Sequence, residues 1–462
     1  MKKNNKRTAI FLGLTSALVM CSAQVLAQTG ITKYGTNALF SNTTGDYNSA
    51  FGDSALYFNT SGSDNTATGE YSLYSNTSGI RNTASGVSAL QDNTTGDSNT
   101  AIGVGSLASN TTGNNNTASG TLSLFYNSSG SYNTGSGSYS LWSNTNGVNN
   151  TASGYKSLYS STTGADNTAS GYYSLYGNTT GDYNTASGSF SLGSNTSGSY
   201  NTANGYYSLN SNTTGVNNVA SGAYSLRLNT TGKENTASGD YSLYSNTKGF
   251  DNAAFGFNAL AANTTGIYNA AIGARSLYRN TTGKNNTASG SESLYSNTTG
   301  NDNTASGINS LYSNTTGGNN NAMGNAALFN NTGGNANNAM GPLSLYSNTT
   351  GTGNSAQGYL ALYSNTTGNN NVAIGNGAGA FSATGSSNVF IGQLAGANET
   401  GSNRLYISNN ATTPLLYGQM SATPRTTSWA LAPVRWLQET LIEYGTAFPP
   451  HHGRRLDECL IP

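Results

Sequence analysis

The sequence predicts an all-β protein, a parallel β-solenoid with one coil for every 17 residues. Three observations carry this. The phrase "NTASGYKSLYSSTTGAD" (Asn150–Asp166) is followed at once by "NTASGYYSLYGNTTGDY" (Asn167–Tyr183). The opening Asn recurs in the same register from Asn48 to Asn388, with no insertion or deletion. A fixed period of this kind marks a repeat architecture in which each unit packs only on its neighbours. The phrase also excludes the other repeat folds. Several Gly, Asn, Ser and Thr per coil disfavour helix, at about 1 kcal/mol for each Gly, and collagen needs Gly at every third residue.

The first element is an export signal at residues 1–27. Lys2, Lys3, Lys6 and Arg7 precede the apolar run "AIFLGLTSALVM" (Ala9–Met20), and "VLA" ends at Ala27, after which a signal peptidase is expected to cut. The run falls short of the ~20 residues a membrane span needs. The competing readings are a buried N-terminal helix and lipidation at Cys21, whose preceding Met20 suits a lipoprotein box poorly. Removal of Cys21 with the signal leaves Cys459 alone, so no disulfide framework is expected.

The second element is the roll, residues 28–402, with consensus N-T-A-S-G-x-x-S-L-Y-S-N-T-T-G-x-x. A degenerate copy starts at Ile31. Counting the opening Asn as position 1, position 9 is Leu in every copy from Leu39 to Leu362, and position 3 is Ala apart from Gly135 and Phe390. Ala152, Leu158, Ala169, Leu175, Leu192 and Leu209 are therefore the expected inside of a narrow coil. Position 8, Ser or Ala, belongs with them. Position 4 alternates between Ser and large apolar residues (Phe51, Ile102, Phe255, Ile272, Met323), which suits a seam covered in places by a neighbouring chain. Each coil is expected to contain two short strands, at about positions 1–4 and 7–11. They end at the turn glycines Gly154 and Gly171 (position 5) and Gly164 and Gly181 (position 15), each with a positive φ. The Asn at positions 1 and 12 are expected to stack as amide ladders along the axis. The same "NTT" and "NTS" triplets match the glycosylation acceptor pattern, although turn chemistry already accounts for them.

A coil that buries one Leu gains roughly 1.5–3 kcal/mol, against about 1–2 kcal/mol per residue of backbone ordering. Ladder hydrogen bonds must carry much of the difference. A lone thin roll looks marginal on this count, which favours self-association, with a homotrimer the expected form. Tyr at positions 6, 7 and 10, such as Tyr172, Tyr173 and Tyr176, are candidates either to stack in columns or to form the surface of association.

The third and fourth elements are a closing segment, residues 403–420, and an atypical tail, residues 421–462. The tail holds five of the seven Pro, both His and two of the three Trp. It breaks with the preceding pattern as a frameshift or truncated gene would. The alternative is a small C-terminal module with one helix around Val434–Glu443.

"NTAIGVGSLASNTTG" from Asn99 and "NVAIGNGAGAFSATG" from Asn371 resemble the YadA-like head repeats of trimeric autotransporter adhesins, over about residues 31–402. That resemblance implies a left-handed parallel β-roll, three chains packed side by side, and an adhesive role at the cell surface or outer membrane. The family repeat is typically shorter than 17 residues. Runs of N-T-A-x-G-x-x-A-L-x-x-N-T-T-G also resemble bacterial surface and tail-fibre-like proteins, with a closing segment like Asn388–Met420. The coiled-coil stalk and anchor of the first pattern, and the chaperone domain of the second, do not follow here.

The composition excludes several function classes. Charged residues are 8%, against about 25% in ordinary proteins. The 18 basic and 18 acidic residues cancel, leaving no electrostatic footprint for nucleic acid. No catalytic constellation is present and no enzyme activity is expected. No cofactor and no metal are expected either. His451 and His452 sit in the tail, acidic residues fall at variable turn positions without the spacing of calcium-binding rolls, and no phosphate-loop motif follows the glycines. The function expected is an exported fibrous surface protein, an adhesin-like head or stalk whose host or environmental ligand is protein or carbohydrate. The alternatives are an ice-binding solenoid, using Thr at positions 2, 13 and 14, and a tail-fibre or structural spacer.

Overall fold

The computed structural model describes residues 28–419 and the backbone of residues 428–431. The signal segment with its cleavage after Ala27, Cys21, the Val434–Glu443 helix and the His pair lie outside the described residues. Every described element is a strand or a turn. Strands β1 (Thr32–Tyr34) to β22 (Val389–Ile391) are each three residues long, one per coil, and pair in parallel with the same residues one coil away. In the middle of the roll, Thr151, Ala152 and Ser153 lie opposite Thr168, Ala169 and Ser170. The protein is thus a parallel β-solenoid of 17-residue coils.

The strand forms where the phrase places a β-branched Thr before a small residue that can face inward. Side chains alternate across a strand, so Thr and Ser of "TAS" point out while the central Ala is fully buried. Leu at position 9 is buried in every coil from Leu39 to Leu362, and Ala152, Leu158, Ala169, Leu175, Leu192 and Leu209 all lie at 0% exposure. The core is two parallel columns, one of Ala and one of Leu, with the position-8 Ser or Ala beside them.

The second strand expected at positions 7–11 is absent. Positions 6–11, Tyr155–Ser160 in the Asn150 coil, are turn throughout. Left-handed backbone at position 7 and again at position 9 prevents an extended run: φ is 54° at Lys156 and 49° at Leu158. A left-handed conformation costs a side-chain-bearing residue roughly 1–2 kcal/mol. Burial of the Leu, worth about 1.5–3 kcal/mol, offsets this at position 9. The turn still bonds between coils. Leu158 N–H donates forward to Ser174 O at 3.0 Å, while Lys156 N–H donates back to Ser138 O at 3.1 Å. Each coil therefore holds both neighbours.

The two glycine positions turn out to differ in kind. Gly154 and Gly171 have φ of 127° and 134°, as expected. Gly164 and Gly181 are not in the positive-φ region. Their constraint is crowding by the neighbouring coil. A Cβ on Gly164 would stand 2.7 Å from Gly181 O, and one on Gly181 would stand 2.3 Å from Gly198 O and 2.5 Å from Asn178 Oδ1.

Departures from the core pattern are compensated locally. Gly135 replaces the position-3 Ala, and Ser123 Oγ swings into that space to meet Ser140 Oγ at 2.8 Å. Near the C-terminal end Phe390 occupies an Ala position, and the Leu positions on either side are Gly379 and Gly396. A Cβ on either glycine would strike the Phe390 ring. One buried aromatic thus fills the volume of two missing leucines.

The last coil is one residue shorter. Strand β23 (Arg404–Ile407) pairs in parallel with β22, Val389 opposite Leu405. The chain then reverses: β24 (Leu416–Gln419) runs antiparallel to β23, and β25 (Ser428–Leu431) antiparallel to β24. The hairpin thus pairs the edge that β23 would otherwise leave open to another chain.

Candidate binding surfaces

Two amide ladders run inside the roll. At position 1, Asn167 Nδ2 donates to Asn150 Oδ1 at 3.1 Å and to Gly181 O at 2.9 Å, and Asn167 N–H also donates to Asn150 Oδ1 at 3.0 Å. At position 12, Asn195 Nδ2 donates to Asn178 Oδ1 at 2.8 Å and to Gly198 O at 2.8 Å. These Asn are fully buried and their polar atoms bond to each other and to turn carbonyls. Their role is to hold the turns, which leaves recognition to the outward-facing positions. Thr at position 13 also works along the axis, Thr162 Oγ1 donating to Thr179 O at 3.1 Å.

The outer faces are of two kinds. On the sheet face, Thr occupies position 2 without a break from Thr66 to Thr202, and the adjoining position 4 is exposed. Many position-4 residues are Ser, but Phe51, Ile102, Phe255, Ile272, Met323 and Ile374 are each more than two-fifths exposed. These are apolar side chains left uncovered on the edge of the roll.

The corner after Gly at position 5 carries aromatic columns. At position 10, Phe40, Tyr57 and Tyr74 stack at 5.1 and 5.3 Å between ring centroids, and Trp142, Tyr159 and Tyr176 at 4.9 and 5.2 Å. A third stack runs from Tyr278 to Tyr363 at 5.0–5.2 Å per step. Such pairs contribute about 0.5–1.5 kcal/mol beyond burial. Where position 10 changes to Gly193, Asn210 and Arg227, the column moves to position 7. Tyr173, Phe190, Tyr207, Tyr224 and Tyr241 stack there at 4.7–5.9 Å. Tyr173 joins Tyr176 at 4.9 Å at one end of the shift, and Tyr241 joins Tyr244 at 5.6 Å at the other. Three cations lie against the rings, Arg279 over Tyr295 at 5.7 Å among them. Lys156 Nζ is 5.3–5.8 Å from four of them, and Arg227 covers Tyr207 and Tyr224. Burial raises the Tyr159 hydroxyl above its ordinary value.

The last coil and the closing segment share the most perturbed pair. Tyr406 Oη donates to Glu399 Oε2 at 2.5 Å. Burial, then that hydrogen bond, push the Tyr406 hydroxyl well above its usual range. Burial would raise Glu399, but the bonds it accepts from Tyr406 and from Gly401 N–H, together with nearby Arg404, win and lower it. The pair sits under the last coil, with Tyr406 5.9 Å from Phe390, and its geometry is that of a structural clasp.

Among the described residues no group of three or more His, Cys, Asp or Glu is placed to share a metal ion, and no helix is long and apolar enough to cross a membrane. The position-10 and position-7 tyrosines are visible in the sequence as a columnar pattern. The sideways shift of the column at Gly193 is not, because it depends on which corner residues lie within ring contact. No family model matches the chain, and no curated protein and no solved structure shows significant similarity to it.

Proposed function

We propose that this chain is an exported fibrous surface protein, an adhesin-like head or stalk that mediates attachment. The observation that carries the reading is the pairing of a stiff interior with a displayed aromatic exterior. The interior is bonded coil to coil by amide ladders and backbone. The exterior repeats tyrosines at ring-stacking distance along the axis. Parallel strands repeat at about 4.8 Å, so 22 coils span on the order of 100 Å, useful reach from a cell surface. Stacked rings already fixed in place bind with little loss of side-chain entropy, which suits repeated weak contacts to protein or carbohydrate. The exposed apolar residues at position 4 support self-association along the seam, as a homotrimer.

Removal of an integral number of coils, for example residues 286–353, keeps the register and shortens the fibre. Cells displaying the shortened chain are expected to attach less to matrix protein or glycan surfaces than cells displaying the full chain. Unchanged attachment, together with unchanged surface display, would count against the adhesive role. Sedimentation of the exported chain tests the trimer: a monomer at micromolar concentration would remove it.

A second reading is favoured by one feature, the unbroken position-2 Thr column from Thr66 to Thr202 on in-register strands. A regular array of hydroxyl and methyl groups is the kind of surface that orders against ice. Thermal hysteresis measured at millimolar protein separates the two readings. Its absence removes ice binding and leaves attachment untouched.

A further inference from the structure

The aromatic column has one single-coil gap where neither position 10 nor position 7 supplies a ring; Phe257, at position 6 of that coil, is exposed and does not line the gap. In the Asn252 coil, position 10 is Ala261 and position 7 is Asn258. The rings of the coils before and after, Tyr244 and Tyr278, both line the resulting cleft, with Tyr241 and Ser245 at its rim. Its volume is about 240 Å³. For scale, an apolar cavity of about 150 Å³ is large enough to take benzene. Ala261 is nearly buried and forms the floor.

The walls are held from outside. Arg227 Nη1 donates to Tyr244 Oη at 3.0 Å, and Tyr241 packs against the same ring at 5.6 Å. Tyr278 stacks on Tyr295 at 5.2 Å. Two coil steps separate the walls, about 9.6 Å at ~4.8 Å per step. Intact parts of the column place one ring in that interval, at 5.0–5.2 Å from each neighbour. The gap is therefore one ring high. The other interruption, at Gln91 and Ala108, is two coils high, too tall for one ring to touch both sides.

We propose that this cleft is a binding site for a single phenyl or phenol ring, which completes the column between Tyr244 and Tyr278. The ring stacks on both tyrosines, its edge rests on Ala261, and a phenolic hydroxyl projects toward the Asn258 and Ser245 side of the rim. The same chemistry is available from a free phenolic compound and from a tyrosine side chain on a partner. A pyranose ring is thicker and carries hydroxyls around its whole edge, and the nearly buried alanine floor offers these no partner. The proposal does not depend on what the fibre attaches to.

The test uses p-cresol, N-acetyltyrosinamide and methyl β-glucoside as probes of the full exported chain, read by ligand-observed NMR. Binding of p-cresol with upfield ring-current shifts is expected. Ala261→Tyr fills the gap with the chain's own ring, and a loss of p-cresol affinity of at least tenfold is expected. Tyr278→Leu removes one wall and is expected to weaken p-cresol at least fivefold, which keeps the test decisive should A261Y disturb the coil. Binding of N-acetyltyrosinamide as well points to a partner's side chain, and binding of p-cresol alone to a free phenol. Equal p-cresol binding by A261Y and the parent, no p-cresol binding, or preference for the glucoside would overturn the proposal.

Discussion

Replacement of Ser161 by Asn should stabilise the roll where its position-12 ladder is broken. Position 12 is Asn in nearly every coil, but Ser161 and Ser382 interrupt it. Both interruptions leave the same two orphans: the serine Oγ itself and the Oδ1 of the preceding Asn, Asn144 and Asn365 respectively, are buried without a hydrogen-bond partner. In an intact coil the Asn Nδ2 donates to the preceding Oδ1 and to the position-15 Gly carbonyl, and its Oδ1 accepts from the next Nδ2. S161N restores all three: a donor for Asn144 Oδ1, a donor for Gly164 O, and an acceptor for Asn178 Nδ2. There is room for it. The amide oxygen that crowds the position-15 Gly in coils such as that of Asn195 is missing beside Gly164, whose nearest contact is Gly181 O.

Three net hydrogen bonds at about 0.5–1.5 kcal/mol each, less about 1 kcal/mol for fixing the longer side chain, leave a gain of roughly 0.5–3.5 kcal/mol. Global unfolding is a poor readout, because long repeat arrays open in parts. Hydrogen exchange of the peptides spanning 144–181 reads the local opening directly. At about 1.4 kcal/mol per tenfold, exchange there should slow by roughly 2- to 300-fold while distant coils stay unchanged. S382N should repeat the effect near the C-terminal end. Unchanged or faster exchange around residue 161 in S161N would refute the claim that the orphaned amide oxygen is a local weakness.

Leu209→Ala empties one rung of the Leu column and should cost about 2–5 kcal/mol, read as faster exchange in the 201–235 coils; a cost under about 1 kcal/mol would mean the column closes over the gap. At Glu234, exposed with φ of 57°, Glu234→Gly should be neutral or slightly stabilising. Glu234→Val should be worse than Gly by about 1–2 kcal/mol, and equal behaviour in thermal melts would argue against left-handed backbone at position 17. The closing clasp should loosen in acid. Glu399 lies below its ordinary value when folded, so its contribution is present above the unfolded carboxylate value and is lost as pH falls through the folded one. Proteolysis of residues 399–419 should therefore accelerate on acidification, and Tyr406→Phe should flatten that dependence; an identical pH profile in Y406F would show that the pair is not responsible.

The fold was legible because the phrase repeats without slippage. Identical residues stacked at one coil spacing leave a reader only the question of which positions face in, and the small or apolar positions 3, 8 and 9 answer it. The shape of the coil was less legible. "YKSLYS" lies between two turn glycines where a second strand is expected, yet left-handed backbone at Lys156 and Leu158 makes it a turn. Composition cannot signal this, since Leu is among the residues least expected at positive φ. The two glycines look alike in the consensus and differ in cause: Gly154 is selected by its own φ, and Gly164 by the carbonyl of the coil beyond it. The second cause is a contact between residues 17 apart, and it can be read only once the stacking is known.

The surface was legible in part for the same reason. Positions 1, 3, 9, 12 and 15 are held nearly constant because each is bonded or packed against its own copy one coil away. A change there orphans an atom, as at Ser161, or requires a compensating change nearby, as Gly379 and Gly396 accompany Phe390. Positions 6, 7 and 10 are under no such demand, and a change there costs only a stacking contact. Sequence variation concentrated on one corner of a uniform rod is where distinct binding features can arise without loss of the fold. The ring gap at Ala261 requires only that positions 7 and 10 both lack a ring in a single coil, as at Asn258 and Ala261. A departure confined to positions that the scaffold tolerates is therefore the informative kind, and along this rod it points to the Tyr244–Tyr278 interval more sharply than to any column that repeats unbroken.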